Sequence, residues 1–311
     1  MLINLQIILI SFLRSLKNED LNLADSIGTC KPINGTDLVY CPEMEEDIII
    51  CQKIYGKTIL LSIGGAAYNE SGFSTEESAS DAADKVWANF GPITDNTTAI
   101  RPFGKAVVDG FDFDFESKNP NLLPFGTRLR LLIDMYMKSN DKKLLLTAAP
   151  QCPFPDIFFG PLLDGSIYYD AIWVQFYNNY CGTDSFLPGN ATQTNYNFNT
   201  WNKWAIDAYP GHDVQVFMGI PGGKNASTTG YISGELLTSV IQYSRNFSNF
   251  GGVMIWEMTI ISENKGFLST VSAAMDRGPP SLLKPETPPI TLPTQNFHQY
   301  PSPLQSIGES N

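Results

Sequence analysis

The stretch VVDGFDFDFES, Val107–Ser117, alternates carboxylates with phenylalanines and decides the fold. Side chains of a β-strand point alternately to its two faces, so Asp112, Asp114 and Glu116 share one face and the phenylalanines share the other. This alternation predicts a strand that packs its phenylalanines against helices and turns its carboxylates toward a site. Asp109 falls on the face opposite to these three carboxylates and is predicted to have a structural role, hydrogen-bonded behind the sheet.

Short apolar runs typical of buried parallel strands recur along the chain. The predicted strands are Leu5–Phe12, Thr58–Ile63, Ala106–Phe115, Lys143–Ala148, Ala171–Tyr177, Val214–Ile220 and Gly252–Trp256. Helix-length stretches between several of them predict an α/β fold of the (β/α)8 TIM-barrel type. The predicted strands are one fewer than the eight that a closed barrel needs, so the barrel is expected to be truncated to seven strands.

Composition divides the chain into one folded domain and a tail. Residues 1–277 carry the strand and helix patterns and are predicted to form the barrel. Residues 278–311 are rich in Pro, Ser and Thr and lack hydrophobic periodicity, which predicts a disordered tail.

The apolar N-terminus has two interpretations, a signal peptide or a buried strand. No basic residue precedes the apolar run and no A-x-A-like cleavage site follows it, so the strand is favoured. The run is too short and too interrupted by polar residues to span a membrane.

Charge and modification signals indicate the class of partner and the compartment. The net charge of −12 argues against nucleic acid as a partner, because phosphate binding requires a basic surface. The N-x-S/T sequons lie at Asn34, Asn69, Asn96, Asn190, Asn225 and Asn246. They favour the secretory pathway, and the 5 cysteines fit disulfides there, although an odd number leaves one thiol without a partner.

The acidic face itself predicts proton chemistry. Carboxylates that share one face repel each other, which raises at least one pKa and keeps a proton available. Glu116 lies nearest the C-terminal mouth of the predicted barrel and is the natural proton donor. A metal site is the competing explanation, but no His or Cys lies nearby and the chain has only 2 histidines, so neither metal nor cofactor is expected.

Five sequence stretches resemble a known family. DGFDFDFE, Asp109–Glu116, matches the D-G-x-D-x-D-x-E signature of the glycoside hydrolase family 18 chitinases, and LLSIGG, Leu60–Gly65, matches their S-x-G-G motif. AAPQCPFPD (Ala148–Asp156), WVQFYNN (Trp173–Asn179) and GGVMIWE (Gly251–Glu257) follow in the order of that family. The resemblance is to the plant and fungal class III type and covers residues 1–276.

This resemblance implies hydrolysis of β-1,4-linked N-acetylglucosamine with retention of configuration and assistance from the substrate. Glu116 resembles the general acid, while the acetamido oxygen of the sugar attacks C1 in place of a protein carboxylate. Asp114 resembles the residue that orients the acetamido group, and Asp112 resembles its hydrogen-bonding partner. Tyr177 is similar to the tyrosine that holds the acetamido carbonyl.

The same resemblance implies substrate contacts by Gln175, by Trp256 under the sugar at the cleavage point, and by Phe12. Ser62 and the glycines that follow it are predicted to allow close packing beside the acidic strand.

The resemblance also implies disulfides and an incomplete N-terminus. Cys152 with Cys181 resembles a bridge of this group, and Cys30 with Cys41 is expected to close a local loop. Cys51 resembles a half-cystine that reaches an N-terminal segment. We therefore expect a chain that lacks the first barrel strand and the signal peptide of its family.

The resulting functional hypothesis is a secreted, monomeric endochitinase that binds chitin or chito-oligosaccharides. The alternatives are an endo-β-N-acetylglucosaminidase that cleaves N-glycans and an inactive chitin-binding protein that results from the truncation. Lectin relatives lose the terminal acid of the signature, which is retained here as Glu116.

Overall fold

The computed structural model describes residues 5–23, 30–68, 70–93 and 99–276. The strands are β1 Ile7–Leu13, β2 Lys31–Pro32, β3 Val39–Tyr40, β4 Thr58–Gly64, β5 Gly110–Asp114, β6 Leu145–Ala148, β7 Ala171–Gln175, β8 Gln215–Pro221 and β9 Phe250–Trp256. The α-helices are α1 Pro42–Lys53, α2 Glu76–Phe90, α3 Leu122–Ser139, α4 Phe198–Ala208, α5 Gly234–Ser244, α6 Met258–Glu263 and α7 Phe267–Asp276. The expected tail, Asn69 and Asn96 lie outside the described residues. Among the described helices, none combines the length and apolar character needed to cross a bilayer.

One parallel sheet organises the molecule. It has 7 strands in the order β1-β4-β5-β6-β7-β8-β9, and every adjacent pair is parallel. Strands and helices alternate along the chain, which confirms the predicted α/β fold with seven barrel strands. In the described part of the chain the sheet is open, with β1 and β9 as its edges.

The acidic strand is shorter than predicted, because it begins at Gly110 rather than at Ala106. Asp109 accounts for the difference. Its Oδ2 accepts hydrogen bonds from the backbone N–H of Ile59 at 2.9 Å and from Nε2 of Gln52 at 2.7 Å. These bonds fix the chain just before β5 and confirm the structural role predicted for Asp109.

The phenylalanines of the acidic stretch form part of the core between sheet and helices. Phe111, Phe113 and Phe115 are all buried. The ring of Phe111 lies 6.4 Å from Trp87 of α2, and the ring of Phe113 lies 5.6 Å from Phe125 of α3. Such aromatic pairs add about 0.5–1.5 kcal/mol beyond the area that they bury. The helix-facing side of β5 is therefore as the alternation predicted.

Two glycines at the end of β4 allow this strand to approach β5 closely. Gly64 has φ +118°, and a Cβ there would lie 2.2 Å from the carbonyl oxygen of Asp114. Gly65 has φ +83°, and a Cβ there would lie 2.8 Å from the ring of Phe12. The N–H of Gly65 donates to the same Asp114 carbonyl at 2.7 Å. Only glycine fits both positions, as the S-x-G-G motif predicted.

Replacing Gly64 with alanine is expected to lower the free energy of unfolding by about 2–5 kcal/mol, because a strained φ and a backbone clash are combined. Gly160→Ala is the matched control, since a Cβ at Gly160 meets nothing within 4 Å. We expect the control to stay within about 0.5 kcal/mol of the parent protein. Urea denaturation of the two variants measures this difference, and equal midpoints would contradict the packing argument.

The disulfides of the structure are Cys30–Cys41 and Cys152–Cys181. The second disulfide links the loop that follows β6 to the loop that follows β7, and its two cysteines are 29 positions apart in the sequence. Closing a loop of this length stabilises a fold by about 3–4 kcal/mol in the chain-entropy treatment. Cys51 is the free cysteine of the described residues and is partly buried.

Candidate active site

Asp112 lies at the base of the site, held by three neighbouring strands. It is 1% exposed, and its Oδ2 accepts from Ser62 Oγ of β4 at 2.7 Å. Its Oδ1 accepts from Thr147 Oγ1 of β6 at 2.6 Å and from Trp173 Nε1 of β7 at 2.9 Å. Burial raises the pKa of Asp112, and these hydrogen bonds oppose the shift. The hydrogen bonds that Asp112 accepts therefore come from three other strands and fix its orientation.

Asp114 follows on the same face at the C-terminal end of β5 and is also buried. Its Oδ1 accepts from Nε2 of Gln175 at 2.9 Å. Burial raises the pKa of Asp114 well above its usual value. The negative charge of Glu116 raises this pKa further, and the charges of Asp112 and Asp156 contribute smaller increases. A buried carboxyl among other carboxylates favours its protonated form.

Glu116 comes two residues after the end of β5 and is half-buried. Burial raises the pKa of Glu116, the hydrogen bond from Gln175 lowers it, and the charge of Asp156 raises it. Asp114 and Glu116 influence each other, so their protons belong to the pair. This pair holds a proton at a pH where ordinary carboxyl groups are ionised.

Gln175 and Tyr177 provide the hydrogen-bond donors opposite these acids. Nε2 of Gln175 also donates to the carbonyl of Ala149 at 2.9 Å, and these contacts fix the orientation of the amide. Tyr177 is buried, and burial raises its pKa well above the usual value. The negative charges of Asp114 and Glu116 raise the pKa of Tyr177 further. Its hydroxyl is therefore protonated and able to donate.

An aromatic pair joins the two edge strands. Phe12 of β1 and Trp256 at the end of β9 have ring centroids 5.6 Å apart with an interplanar angle of 33°. Both side chains are partly exposed. They present apolar surface beside the carboxylates, which suits the flat faces of a sugar ring.

These side chains surround a cavity of about 800 Å³. Its lining includes Phe12, Asp112, Asp114, Gln175, Tyr177 and Trp256, together with apolar residues of β1 and β9. Glu116 is not among the lining residues. A smaller polar cavity of about 360 Å³ shares Arg14 and Ala67 with the first and extends the cleft. In the described ranges, no group of three or more His, Cys, Asp or Glu side chains is arranged to hold a metal ion.

Sequence reasoning missed the partners of Asp112 and the influence of Asp156. The sequence pattern does not mark Thr147 or Trp173 as partners of Asp112, although alternation along β7 places Trp173 on the same face as Gln175. Asp156 is 4% exposed and accepts from the backbone N–H groups of Gln151, Phe158 and Phe159. No local pattern signals this, because Asp156 lies in a loop.

Comparisons with known proteins identify the family. The profile of the family described as Glycosyl hydrolases family 18 matches residues 2–235. The class III chitinase of Arthroderma benhamiae is 44% identical over 259 residues, covering 83% of this chain and 77% of the relative. Endochitinase 33 of Trichoderma harzianum is 45% identical over 273 residues, covering 88% of this chain and 83% of the relative.

Among solved structures, the crystal structure of ICChI chitinase from Ipomoea carnea is similar with a TM-score of 0.67 and 29% sequence identity. The similarity covers 86% of this chain and 90% of that protein. The sequence profile, the relatives and the barrel architecture are consistent with one another along most of the chain. This chain belongs to the glycosyl hydrolases of family 18.

Proposed function

We propose that this chain is an endo-acting chitinase that hydrolyses β-1,4 linkages between N-acetylglucosamine units with retention of configuration. Family membership supports the reaction class. The observation that carries the mechanism is the pair of buried Asp114 and half-buried Glu116, which have raised pKa values and lie beside Gln175 and Tyr177.

Glu116 is the general acid in this proposal. Its raised pKa keeps it protonated until the glycosidic oxygen needs a proton, and its partial exposure leaves it accessible to a polymer. When the leaving sugar departs, Glu116 is left as a carboxylate and can accept a proton from the incoming water.

Asp114, Tyr177 and Gln175 act on the acetamido group of the substrate. The acetamido oxygen attacks C1, and its N–H gains positive character that the carboxylate of Asp114 stabilises. The protonated Tyr177 hydroxyl is a donor for the acetamido oxygen and sets its direction of attack. Gln175 holds Asp114 in position through the 2.9 Å hydrogen bond.

Asp112 contributes a fixed charge below Asp114. Donors from Ser62, Thr147 and Trp173 keep it oriented. Because like charges cannot be held close together at low energy, the charge of Asp112 helps the Asp114–Glu116 pair to keep one proton, which in the reactive state lies on Glu116 and leaves Asp114 ionised.

Trp256 supplies apolar surface for the sugar at the cleavage point. Trp256→Ala is expected to raise KM for a fluorogenic chito-oligosaccharide by about 10- to 100-fold, since a large aromatic surface contributes about 1.5–3 kcal/mol when buried. Leu131→Ala, which removes an exposed apolar side chain from α3, is the control and should leave KM unchanged. An unchanged KM in Trp256→Ala would remove this residue from the binding surface.

The stereochemistry of the first product tests the proposed reaction. We expect proton NMR of a chitin hexasaccharide digest to show the β-anomer before mutarotation, together with internal cleavage products by mass spectrometry. Initial α-anomer would contradict substrate-assisted retention. A parallel digest of an N-glycoprotein separates the alternatives, because efficient release of its glycans would favour an endo-β-N-acetylglucosaminidase.

We also propose that the protein is secreted, N-glycosylated and monomeric. Sequons at Asn34, Asn190 and Asn225 are exposed, and two disulfides suit an oxidising compartment. Sedimentation velocity and glycopeptide mass spectrometry of the protein from a fungal culture medium test these statements.

A further inference from the structure

One sequon lies in the wall of the substrate cleft. Asn225, in the loop after β8, belongs to the Asn225–Ala226–Ser227 sequon and lines the same cavity as Asp114, Tyr177 and Trp256. Its side chain is exposed, and within the described residues no hydrogen bond engages its amide nitrogen. Asn246 differs, because its Nδ2 donates to the carbonyls of Gln242 and Tyr243.

The loop that carries Asn225 is tied to the site on both sides. Oδ1 of Asn178 accepts from the N–H of Thr228 at 2.7 Å, and Asn178 follows Tyr177 directly. Gly230, with φ +93°, packs so closely that a Cβ would lie 2.6 Å from Cα of Tyr177. Before the sequon, Nδ2 of Asn264 donates to the carbonyl of Gly222 at 2.7 Å. A group attached to Asn225 is therefore held beside the cleft.

The chemistry of the modification matches the cleft. N-glycosylation joins the amide nitrogen of Asn225 to C1 of an N-acetylglucosamine; the nitrogen loses a proton and a lipid-linked pyrophosphate leaves C1. The first two sugars of such a glycan are β-1,4-linked N-acetylglucosamines, which is the repeating unit of chitin.

We propose that an N-glycan on Asn225 lies in the substrate cleft and competes with chitin for it. This inference rests on the proposed function, since it requires both a chitin-binding cleft and passage through the glycosylation machinery. A ligand tethered at the wall has an effective concentration on the order of millimolar, which suffices to compete with a short chito-oligosaccharide. Removal of the glycan therefore increases the affinity of the enzyme for its substrate.

Two variants remove the glycan in independent ways. Asn225→Gln removes the acceptor asparagine of the sequon, whereas Ser227→Ala destroys the sequon and keeps Asn225. The hydroxyl of Ser227 is buried and has no hydrogen-bond partner among the described residues, so its removal should not destabilise the loop. Thr192→Ala, which removes the exposed Asn190 sequon, is the matched control.

The experiment uses the full chain, fused to a secretion signal and produced in a glycosylating host. Glycopeptide mass spectrometry establishes occupancy, and KM for fluorogenic chitotriose is measured for each protein. We expect Asn225→Gln and Ser227→Ala to lower KM by about two- to tenfold, and Thr192→Ala to leave it unchanged. An unoccupied Asn225, or equal KM values at full occupancy, overturns the proposal.

A binding measurement separates this inference from the proposed function. Calorimetric titration of chitotriose into Glu116→Gln proteins, with and without Ser227→Ala, should show the same two- to tenfold difference in Kd. If the parent enzyme does not hydrolyse chitotriose but the Kd values differ, the proposed function fails and the competition stands. If hydrolysis occurs and Kd is the same for both proteins, only the competition fails.

Discussion

Replacing Glu116 with glutamine is expected to lower kcat for chitin hexasaccharide by about 10²–10⁴-fold, because glutamine cannot donate the proton that the leaving oxygen requires. KM should change little, since glutamine keeps the size of the side chain and can still accept a hydrogen bond. Steady-state kinetics on the hexasaccharide measure both quantities.

The choice of leaving group makes this test specific for acid catalysis. A glycoside with an acidic nitrophenolate leaving group needs little protonation, so its loss of rate in Glu116→Gln should be much smaller than that of the hexasaccharide. Glu263→Gln, an exposed carboxylate on α6, is the control and should retain full activity. Equal losses for both substrates would mean that Glu116 does not act as the proton donor.

Replacing Asp114 with asparagine is expected to lower kcat by about 10²–10³-fold while it raises stability near neutral pH. The activity falls because asparagine cannot stabilise the positive acetamido N–H. The stability rises because burial and the charge of Glu116 disfavour the ionised carboxylate in the folded protein. The gain should be about 0.5–2 kcal/mol, or roughly 2–6 °C in Tm.

The pH dependence of this gain follows from the direction of the pKa shift. The folded pKa of Asp114 is raised, so its contribution to stability is complete below the unfolded pKa of about 4 and is lost as the pH rises through the folded pKa. Asparagine does not titrate in this range. The difference in Tm between Asp114→Asn and the parent should therefore be small at pH 4 and grow toward neutral pH. A difference that shrinks with rising pH would contradict burial as the cause.

Sequence reasoning located the catalytic strand because the relevant information is local. Alternation along β5 separates Asp112 and Asp114 from Phe111 and Phe113, and the structure places the phenylalanines against the helices. The same logic located all seven strands, since each is a short apolar run. The largest difference in a strand boundary is at the start of β5, because the hydrogen bonds of Asp109 reach residues some fifty positions earlier in the chain.

Long-range arrangement could not be predicted in this way. The contact of Phe12 with Trp256 joins the two ends of the sheet, and no periodicity relates positions so far apart. The donors to Asp112 come from three strands, and their convergence depends on sheet register. The position of Asn225 in the cleft wall likewise depends on the course of a loop.

The open sheet has a consequence for local stability across the molecule. The residues of β5 and β7 are buried throughout, whereas most residues of β1 and β9 are only partly buried. In the described chain, the outward backbone groups of these two edge strands have no neighbouring strand to pair with. Amide hydrogen exchange should therefore be slowest in β5–β7 and become faster toward both edges. The proton donor is then anchored in the most protected part of the sheet, while Phe12 and Trp256 are carried by the strands that open most readily.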